Sequence, residues 1–272
     1  MMLFGVAMLN EVRKGLRFAW SERLQILIEL PMFAAFVLLL GPLLGQGGQI
    51  AAGRIAWRLD SETTSVMVVW FVPFVFFYMQ VVKMFWRLLG EIQAGTIEQV
   101  FLSPLPSWLV VAAGRVAAAF VETVFVAAAT YGIVSVFVPL RIGWTAGALL
   151  PLAMGMLAAI GVSLIIAGAT LVWKRIQLVN DAAMVVVMLF SASALPLIDV
   201  PTWWARISHF LPLTDAVGGL YKTLLAHEPI TTWGTGGLVP LTATSVAYFT
   251  AGIAVFALGQ RAAKRRGTLG IY

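Results

Sequence analysis

Long runs of apolar residues, separated by short polar segments, dominate the chain. Six runs are each near or above the roughly 20 residues that an α-helix needs to cross about 30 Å of hydrocarbon. The runs are continuous and do not alternate between apolar and polar residues, which argues against transmembrane β-strands. The pattern predicts six membrane-spanning helices, at about Leu24–Gly45, Val66–Trp86, Ser107–Val138, Gly143–Val172, Leu178–Ala194 and Leu238–Gly259.

The segment before the first run, residues 1–23, has a different pattern. Leu9, Val12, Leu16 and Trp20 recur at helical spacing, and Arg13, Lys14 and Arg17 lie away from that line. This pattern predicts a basic amphipathic helix at the membrane interface, on the inner leaflet. A solvated leader is the alternative, but aromatic residues favour the interface.

The composition supports a membrane protein. Of the 272 residues, 61% are hydrophobic and 11% are charged, against about 45–50% and about 25% in soluble domains. Soluble, disordered and fibrous classes are therefore excluded, and an all-α integral membrane protein is predicted, with residues 1–272 as a single transmembrane domain. The absence of cysteine excludes disulfides and thiolate metal sites, and the two histidines leave little room for zinc or heme. No metal site is predicted.

We attribute the net charge of +6 to the orientation of the protein in the membrane and not to nucleic-acid binding. With six spans, both termini lie on one side of the membrane. The positive-inside rule makes that side cytoplasmic, because it holds most of the lysines and arginines. The other side holds only five of the 18: Arg54, Arg58, Arg141, Arg206 and Lys222.

The connection between spans two and three, residues 87–107, is too structured for a minimal loop. Gly95 interrupts it and two prolines close it, which predicts short helices at the cytoplasmic surface. Glu91 and Glu98 would share a face if the helix were continuous. The acids suit docking to a basic groove on a partner protein, and a lipid-facing interfacial helix with solvated acids is an equal alternative.

The connection between spans five and six, residues 195–235, is too polar to span and too apolar for a free loop. A proline followed by two tryptophans marks the start of a helix near an aromatic belt. Pro212 is expected to end this helix, and Thr214 can cap a second one. The segment therefore predicts short amphipathic re-entrant helices that dip into the outer leaflet.

Glu122 lies well inside span three, where a charged side chain is costly and marks a possible functional site. It could bind a cationic substrate or carry protons. It could instead pair with a group on another span or simply be protonated, and a structural role is the favoured alternative. Arg115, Lys83 and Arg87 are expected to extend their charged ends to the headgroups.

Two stretches resemble the permease subunit of a type-2 ATP-binding-cassette (ABC-2) exporter. GTIEQVFLSPLP (Gly95–Pro106) is similar to the family's Glu…Gly-Thr-hydrophobic-Glu…Ser-Pro stretch. ALPLIDVPTWWARISHFLPLTDAV (Ala194–Val217) is similar to its Pro…Pro-x-Trp…Asn-Pro-Leu stretch, with Leu211 in place of the asparagine that many members have. The beginning, EVRKGLRFAWSERLQILIELP (Glu11–Pro31), looks more like the drug- and lipid-exporting branch than the polysaccharide branch.

The resemblance implies a complex in the bacterial cytoplasmic membrane. Two copies of the permease, or the permease and a paralogue, would bind two cytoplasmic ABC ATPases, which hold the ATP and magnesium. Substrate would move between the two permeases, along a cavity lined chiefly by spans one, two and five. The resemblance assigns the coupling to the ATPase to Glu91, Gly95, Thr96 and Glu98. It assigns the external gate to Pro201, Trp203, Trp204 and Pro212.

The chain has no catalytic fingerprint of its own. A phosphate-binding loop needs a glycine-rich turn before Lys-Ser or Lys-Thr, and the one Lys-Thr pair follows Tyr221 instead. The prediction is therefore a non-enzymatic permease that exports a hydrophobic, amphipathic or lipid-linked molecule, with no cofactor of its own and with membrane lipids around it. A gradient-driven transporter or channel is the alternative, although no inverted repeat supports it. For a membrane-embedded enzyme, the sequence lacks any plausible cluster of His, Asp, Glu and Ser at membrane depth.

Overall fold

A computed structural model describes residues 2–45, 60–97, 106–173, 176–196 and 200–266. Within these residues the secondary structure is entirely helical, and short 3₁₀ turns occur at Ala146–Ala148, Ala192–Ala194 and Ile230–Thr232. The α-helices of the described residues are α1 (Met2–Ser21), α2 (Arg23–Gly45), α3 (Ser61–Gln93), α4 (Ser107–Phe137), α5 (Leu149–Val172), α6 (Gln177–Ser191), α7 (Thr202–Ser208), α8 (Thr214–Leu224) and α9 (Gly234–Arg266).

Five helical segments of the described residues are long and apolar enough to cross a membrane: Ser61–Gln93, Trp108–Phe137, Ala146–Val172, Gln177–Ala194 and Gly234–Arg266. They coincide with the predicted spans two to six, so the all-α membrane fold is confirmed. Helix α2 occupies the place of the predicted first span but is not among the five, and the count of six spans stays a prediction.

Helix α3 forms the centre of the bundle and packs against α2, α4, α5, α6 and α8. It begins five residues before the predicted start because Asp60 caps it: Oδ2 of Asp60 accepts a hydrogen bond from the Thr63 amide at 3.1 Å. Polar side chains also fix α3 to its neighbours. Nε2 of Gln80 donates to Oγ of Ser163 on α5 at 3.1 Å, and the Trp70 indole donates to Ser191 on α6 at 3.0 Å.

Helices α5 and α9 make the most extensive helix pair of the structure. A seam of glycines allows this contact: Gly161 packs on the backbone of Tyr248 and Gly252, and Gly168 packs on Gly259. From the first pair to the second, the residue numbers increase on both helices, so the two helices run parallel. A side chain at these positions would enter the backbone of the other helix, and small residues are what close packing in membranes requires.

Helices α1 and α2 are joined by one turn at Glu22, across which helical hydrogen bonds continue to Phe18 and from Ile26. Helix α1 packs along α4, where Gly15 lies against Gly114. Its predicted apolar line stays uncovered, because Leu9, Leu16 and Trp20 are all exposed. The place of α1 at the membrane surface stays a prediction.

The predicted pair of short helices after span five is present as α7 and α8. Two details of the prediction are wrong. Helix α7 ends at Ser208, before Pro212, and Thr214 does not cap α8: it is the first helical residue, after Leu213 at φ 82°. The apolar stripe of α8 is buried against α3 and α5, so the fold covers it with protein.

The bundle has two distinguishable ends. Ser65 on α3 accepts a hydrogen bond from the Arg141 amide, and the Gly143 amide donates to Leu224 on α8. This is termed the α8 end. At the other end the final turns of α3 meet the first turns of α4, and this is termed the Glu91 end.

Candidate functional site

Four charged side chains from three elements meet in one buried cluster, termed the inner cluster: Glu22, Lys83, Arg87 and Glu122. Lys83 Nζ lies 3.2 Å from Glu22 Oε2 and 3.1 Å from Glu122 Oε2. Arg87 Nη2 lies 2.6 Å from Glu22 Oε2 and 2.7 Å from Glu122 Oε1. The two cations and two carboxylates therefore balance in charge.

Helical spacing explains why the inner cluster forms. Lys83 and Arg87 are four residues apart on α3 and share one face. That face meets Glu122 on α4 and the Glu22 turn between α1 and α2. A buried charge is tolerated when it is paired and hydrogen-bonded, so each member of the inner cluster makes burial of the others possible.

Glu22 is the most exposed member of the inner cluster. Burial alone would raise the pKa of its carboxyl group. The hydrogen bond and charge of Arg87, together with Lys83, outweigh that effect and lower the pKa below its ordinary value of 4.5. Glu22 therefore stays ionised at neutral pH and ties the α1–α2 turn to α3.

A second cluster, termed the outer cluster, lies at the Glu91 end and consists of Lys14, Glu91 and Arg115. Lys14 Nζ lies 2.9 Å from Glu91 Oε1, and Arg115 Nη2 lies 2.8 Å from Glu91 Oε2. Arg115 also donates to the carbonyl of Val111 at 2.6 Å. The carboxylate of Glu91 thus joins α1 to α4 through the end of α3.

The two clusters form consecutive layers of the same three-helix contact. Lys14 on α1 precedes Glu22 at the α1–α2 turn, and Arg115 precedes Glu122 along α4, while α3 runs in the opposite direction. A cavity of about 20 Å³ separates the layers, room for about one water molecule. It is lined by Arg87 and Arg115, whose buried Nε atoms make no hydrogen bond. Displacing α1 would therefore disturb both layers.

The remaining predicted coupling residues follow α3 directly. The helix ends at Gln93, and Gly95 adopts φ 70°, a left-handed conformation that glycine accepts readily. The hydroxyl of Thr96 donates to the Glu91 carbonyl at 3.3 Å. The helix is not continuous past Gln93, and Glu98 lies outside the described residues.

The predicted gate residues lie at the α8 end. Pro201 immediately precedes α7, and Trp204 stacks on Phe190 of α6 with ring centroids 4.3 Å apart. Trp203 is exposed, and Pro212 is buried just before the strained Leu213. The structure thus holds Trp204 and Pro212 in the bundle and leaves Trp203 on its surface.

The sequence prediction for the basic residues was wrong. Lys83, Arg87 and Arg115 do not extend to the headgroups, because each is buried in an ion pair with an acid of another helix. Glu122 is paired with a group on another span, which is the alternative that the sequence analysis favoured. Glu22 was missed by sequence reasoning, and the available signal was an acid at the single turn between α1 and α2.

A larger cavity of about 320 Å³ adjoins the inner cluster. Its wall combines charged and aromatic side chains, and it is formed by the α1–α2 region and α3. The lining residues are Glu22, Gln25, Tyr78, Val82, Lys83, Trp86 and Arg87. No group of three or more histidines and acids that could hold a metal ion occurs in the described part of the chain.

The sequence model of the ABC-2 type transporter family matches residues 20–225. This range covers most of the chain, so the protein belongs to the ABC-2 type transporter family and is a membrane permease of an ABC transporter. The family implies an ABC ATPase as partner. A search of curated proteins finds no match.

Proposed function

We propose that the chain is the transmembrane subunit of an ATP-driven exporter of the cytoplasmic membrane, with both termini in the cytoplasm. The outer cluster carries the proposal. Glu91 connects α1, α3 and α4 within the predicted coupling segment, residues 87–107. A force on that segment would therefore reach three helices at once.

The role of Glu91 differs from simple docking. Its side chain is 13% exposed and both carboxylate oxygens are engaged within the chain. We infer that Glu91 transmits motion between the coupling segment and α1, and that Gly95 and Thr96 present the segment to the ATPase. Glu98 remains a proposed direct contact, since the family resemblance assigns it that place.

The cargo proposed is an amphipathic or lipid-linked molecule. The cavity beside the inner cluster offers cations and a carboxylate for a polar group, with Tyr78 and Trp86 for an apolar one. Its lining comes from the first two predicted spans and from Glu22 and Arg87 directly beside them, and the family resemblance places these two spans along the substrate path. Two permeases and two ATPases would complete the exporter, and the ATPases would supply ATP and magnesium.

Affinity purification tests this proposal. The tagged chain is extracted from its native membrane, and the proteins that accompany it are identified and quantified. We expect an ABC ATPase in a one-to-one ratio with the permease. Recovery of a monodisperse, transport-active permease without any ATPase would support the gradient-driven alternative instead.

A further inference from the structure

An apolar cavity of about 440 Å³ lies between α3, α4, α5 and α8, apart from both ion-pair clusters. Its wall is built mostly of valine, alanine, leucine and aromatic side chains, including Val69, Phe76, Ala127, Tyr131, Leu152 and Leu220. Among the described residues that line it none is charged. A charged ligand would therefore meet no compensating group there, and the cavity suits an uncharged hydrocarbon.

The cavity is elongated along the helices. On α3 its lining extends from Val68 to Phe76, and on α4 from Phe120 to Tyr131. At 1.5 Å per residue these stretches measure about 12 Å and about 16 Å. One leaflet of the roughly 30 Å hydrocarbon core is about 15 Å thick. The cavity thus has the length of one leaflet and the direction of a lipid chain.

The cavity opens towards the bilayer. Phe120 and Val124 line it and are 47% and 53% exposed, and they continue into an exposed apolar face of α4 that includes Val121 and Phe125. Trp144 lines the cavity close to the α8 end and is 71% exposed. Tryptophan favours the membrane interface, so Trp144 marks the level at which a lipid headgroup would lie.

We propose that this cavity binds one acyl chain of a bilayer lipid from the leaflet at the α8 end. The chain lies along α4 from the level of Tyr131 to that of Thr123, and Phe120 and Val124 border the opening towards the bilayer. Filling the cavity with hydrocarbon restores the dispersion contacts that its apolar wall would otherwise lack. The proposal depends on the membrane fold and not on the direction of transport.

Thr123 distinguishes a lipid chain from a more polar occupant. Thr123 lines the cavity, and its buried hydroxyl makes no hydrogen bond. A hydrophobic substrate with a hydrogen-bonding group would use this hydroxyl. An acyl chain has no such group, so Thr123→Val should leave its binding unchanged.

Photolabelling tests the proposal. The full chain is reconstituted in nanodiscs of phosphatidylcholine that carries a diazirine in mid-chain, and labelled residues are mapped by mass spectrometry. Val69 is 2% exposed and is reached through the cavity. We expect labelling at Val68 and Val69, although neither side chain faces the bulk bilayer.

Filling variants provide the control. Ala127→Phe should reduce labelling of Val69 at least fivefold, and Ala128→Phe serves if the first variant is not monodisperse. Ala243→Phe lies on an exposed face of α9 outside the cavity. This variant should not change the labelling of Val69. Three results would overturn the proposal: no labelling at Val69, as when a second permease copy covers the opening; labelling that both filling variants leave unchanged; or labelling that Thr123→Val abolishes.

Discussion

Arg87 and Glu122 form a buried ion pair between α3 and α4, with Nη2 of Arg87 2.7 Å from Oε1 of Glu122. The same guanidinium contacts Glu22 at the α1–α2 turn. One side chain therefore connects three consecutive segments of the bundle. The acid that was singled out as costly within the membrane is compensated by this arrangement.

The inner cluster predicts a large effect of Glu122→Gln on stability. Two cations would face the single carboxylate of Glu22, and breaking a buried ion pair costs about 3–5 kcal/mol. Thermal unfolding of the purified permease in detergent measures the effect. Glu62→Gln, at an exposed acid in the first turn of α3, is the matched control and should be neutral. Adding Lys83→Met to Glu122→Gln restores charge balance and should recover part of the loss.

The outer cluster predicts unequal effects of its two cations. Arg115 is 11% exposed and hydrogen-bonds both Glu91 and the Val111 carbonyl, whereas Lys14 is 44% exposed. Arg115→Met should lower the free energy of unfolding by about 1.5–3 kcal/mol. Lys14→Met should cost less than about 1 kcal/mol, because exposed ion pairs contribute little. Equal losses in unfolding experiments would contradict this account of the outer cluster.

Two glycine-to-alanine substitutions should change stability in opposite directions. A Cβ at Gly161 would enter the backbone of α9, so Gly161→Ala should destabilise by about 1–3 kcal/mol. Gly132 is helical and open, so Gly132→Ala should stabilise by about 0.5–1 kcal/mol. Melting temperatures of both variants test the α5–α9 seam. A gain at Gly161 would show that the helices are not in this contact.

We expect Glu22 to make the stability of the protein depend on pH. Its pKa is lower in the folded protein than its ordinary value of 4.5, so the folded state favours the ionised form. The stabilisation is complete above that ordinary pKa and is lost as pH falls through the lower, folded pKa. Glu22→Gln should therefore reduce the loss of stability upon acidification below pH 4.5. If the stability of the variant falls with decreasing pH as steeply as that of the unchanged protein, this contribution is excluded.

The positions of the helices follow from local sequence, which is why apolar runs predicted α3 to α6 and α9, with ends that differ by up to seven residues. The short helices after span five were also predicted, because prolines and aromatic residues mark them locally. Thr214 shows the limit of this reasoning. Threonine is a common N-cap residue, but the tertiary packing of α8 places Leu213 at the N-cap position instead.

The partners of the charged residues could not be predicted. Lys83 and Arg87 have the spacing of headgroup-directed side chains, and only the position of α4 and of the Glu22 turn decides that they pair inward. Glu91 was singled out by its spacing of seven residues from Glu98 and by the family resemblance. Its engagement with Lys14 depends on how α1 packs, through Gly15 and Gly114, against α4.

The ratio of transport to ATP hydrolysis tests most directly whether a separate ATPase drives this permease through the Glu91 end. The purified complex is placed in proteoliposomes with a fluorescent short-chain phospholipid, and its movement and the phosphate released are measured together. Glu91→Gln should preserve the complex and its ATP hydrolysis but lower the transport ratio at least fivefold, with Glu62→Gln unchanged. An unaltered ratio in Glu91→Gln, or full transport by the permease without its ATPase, would contradict the account.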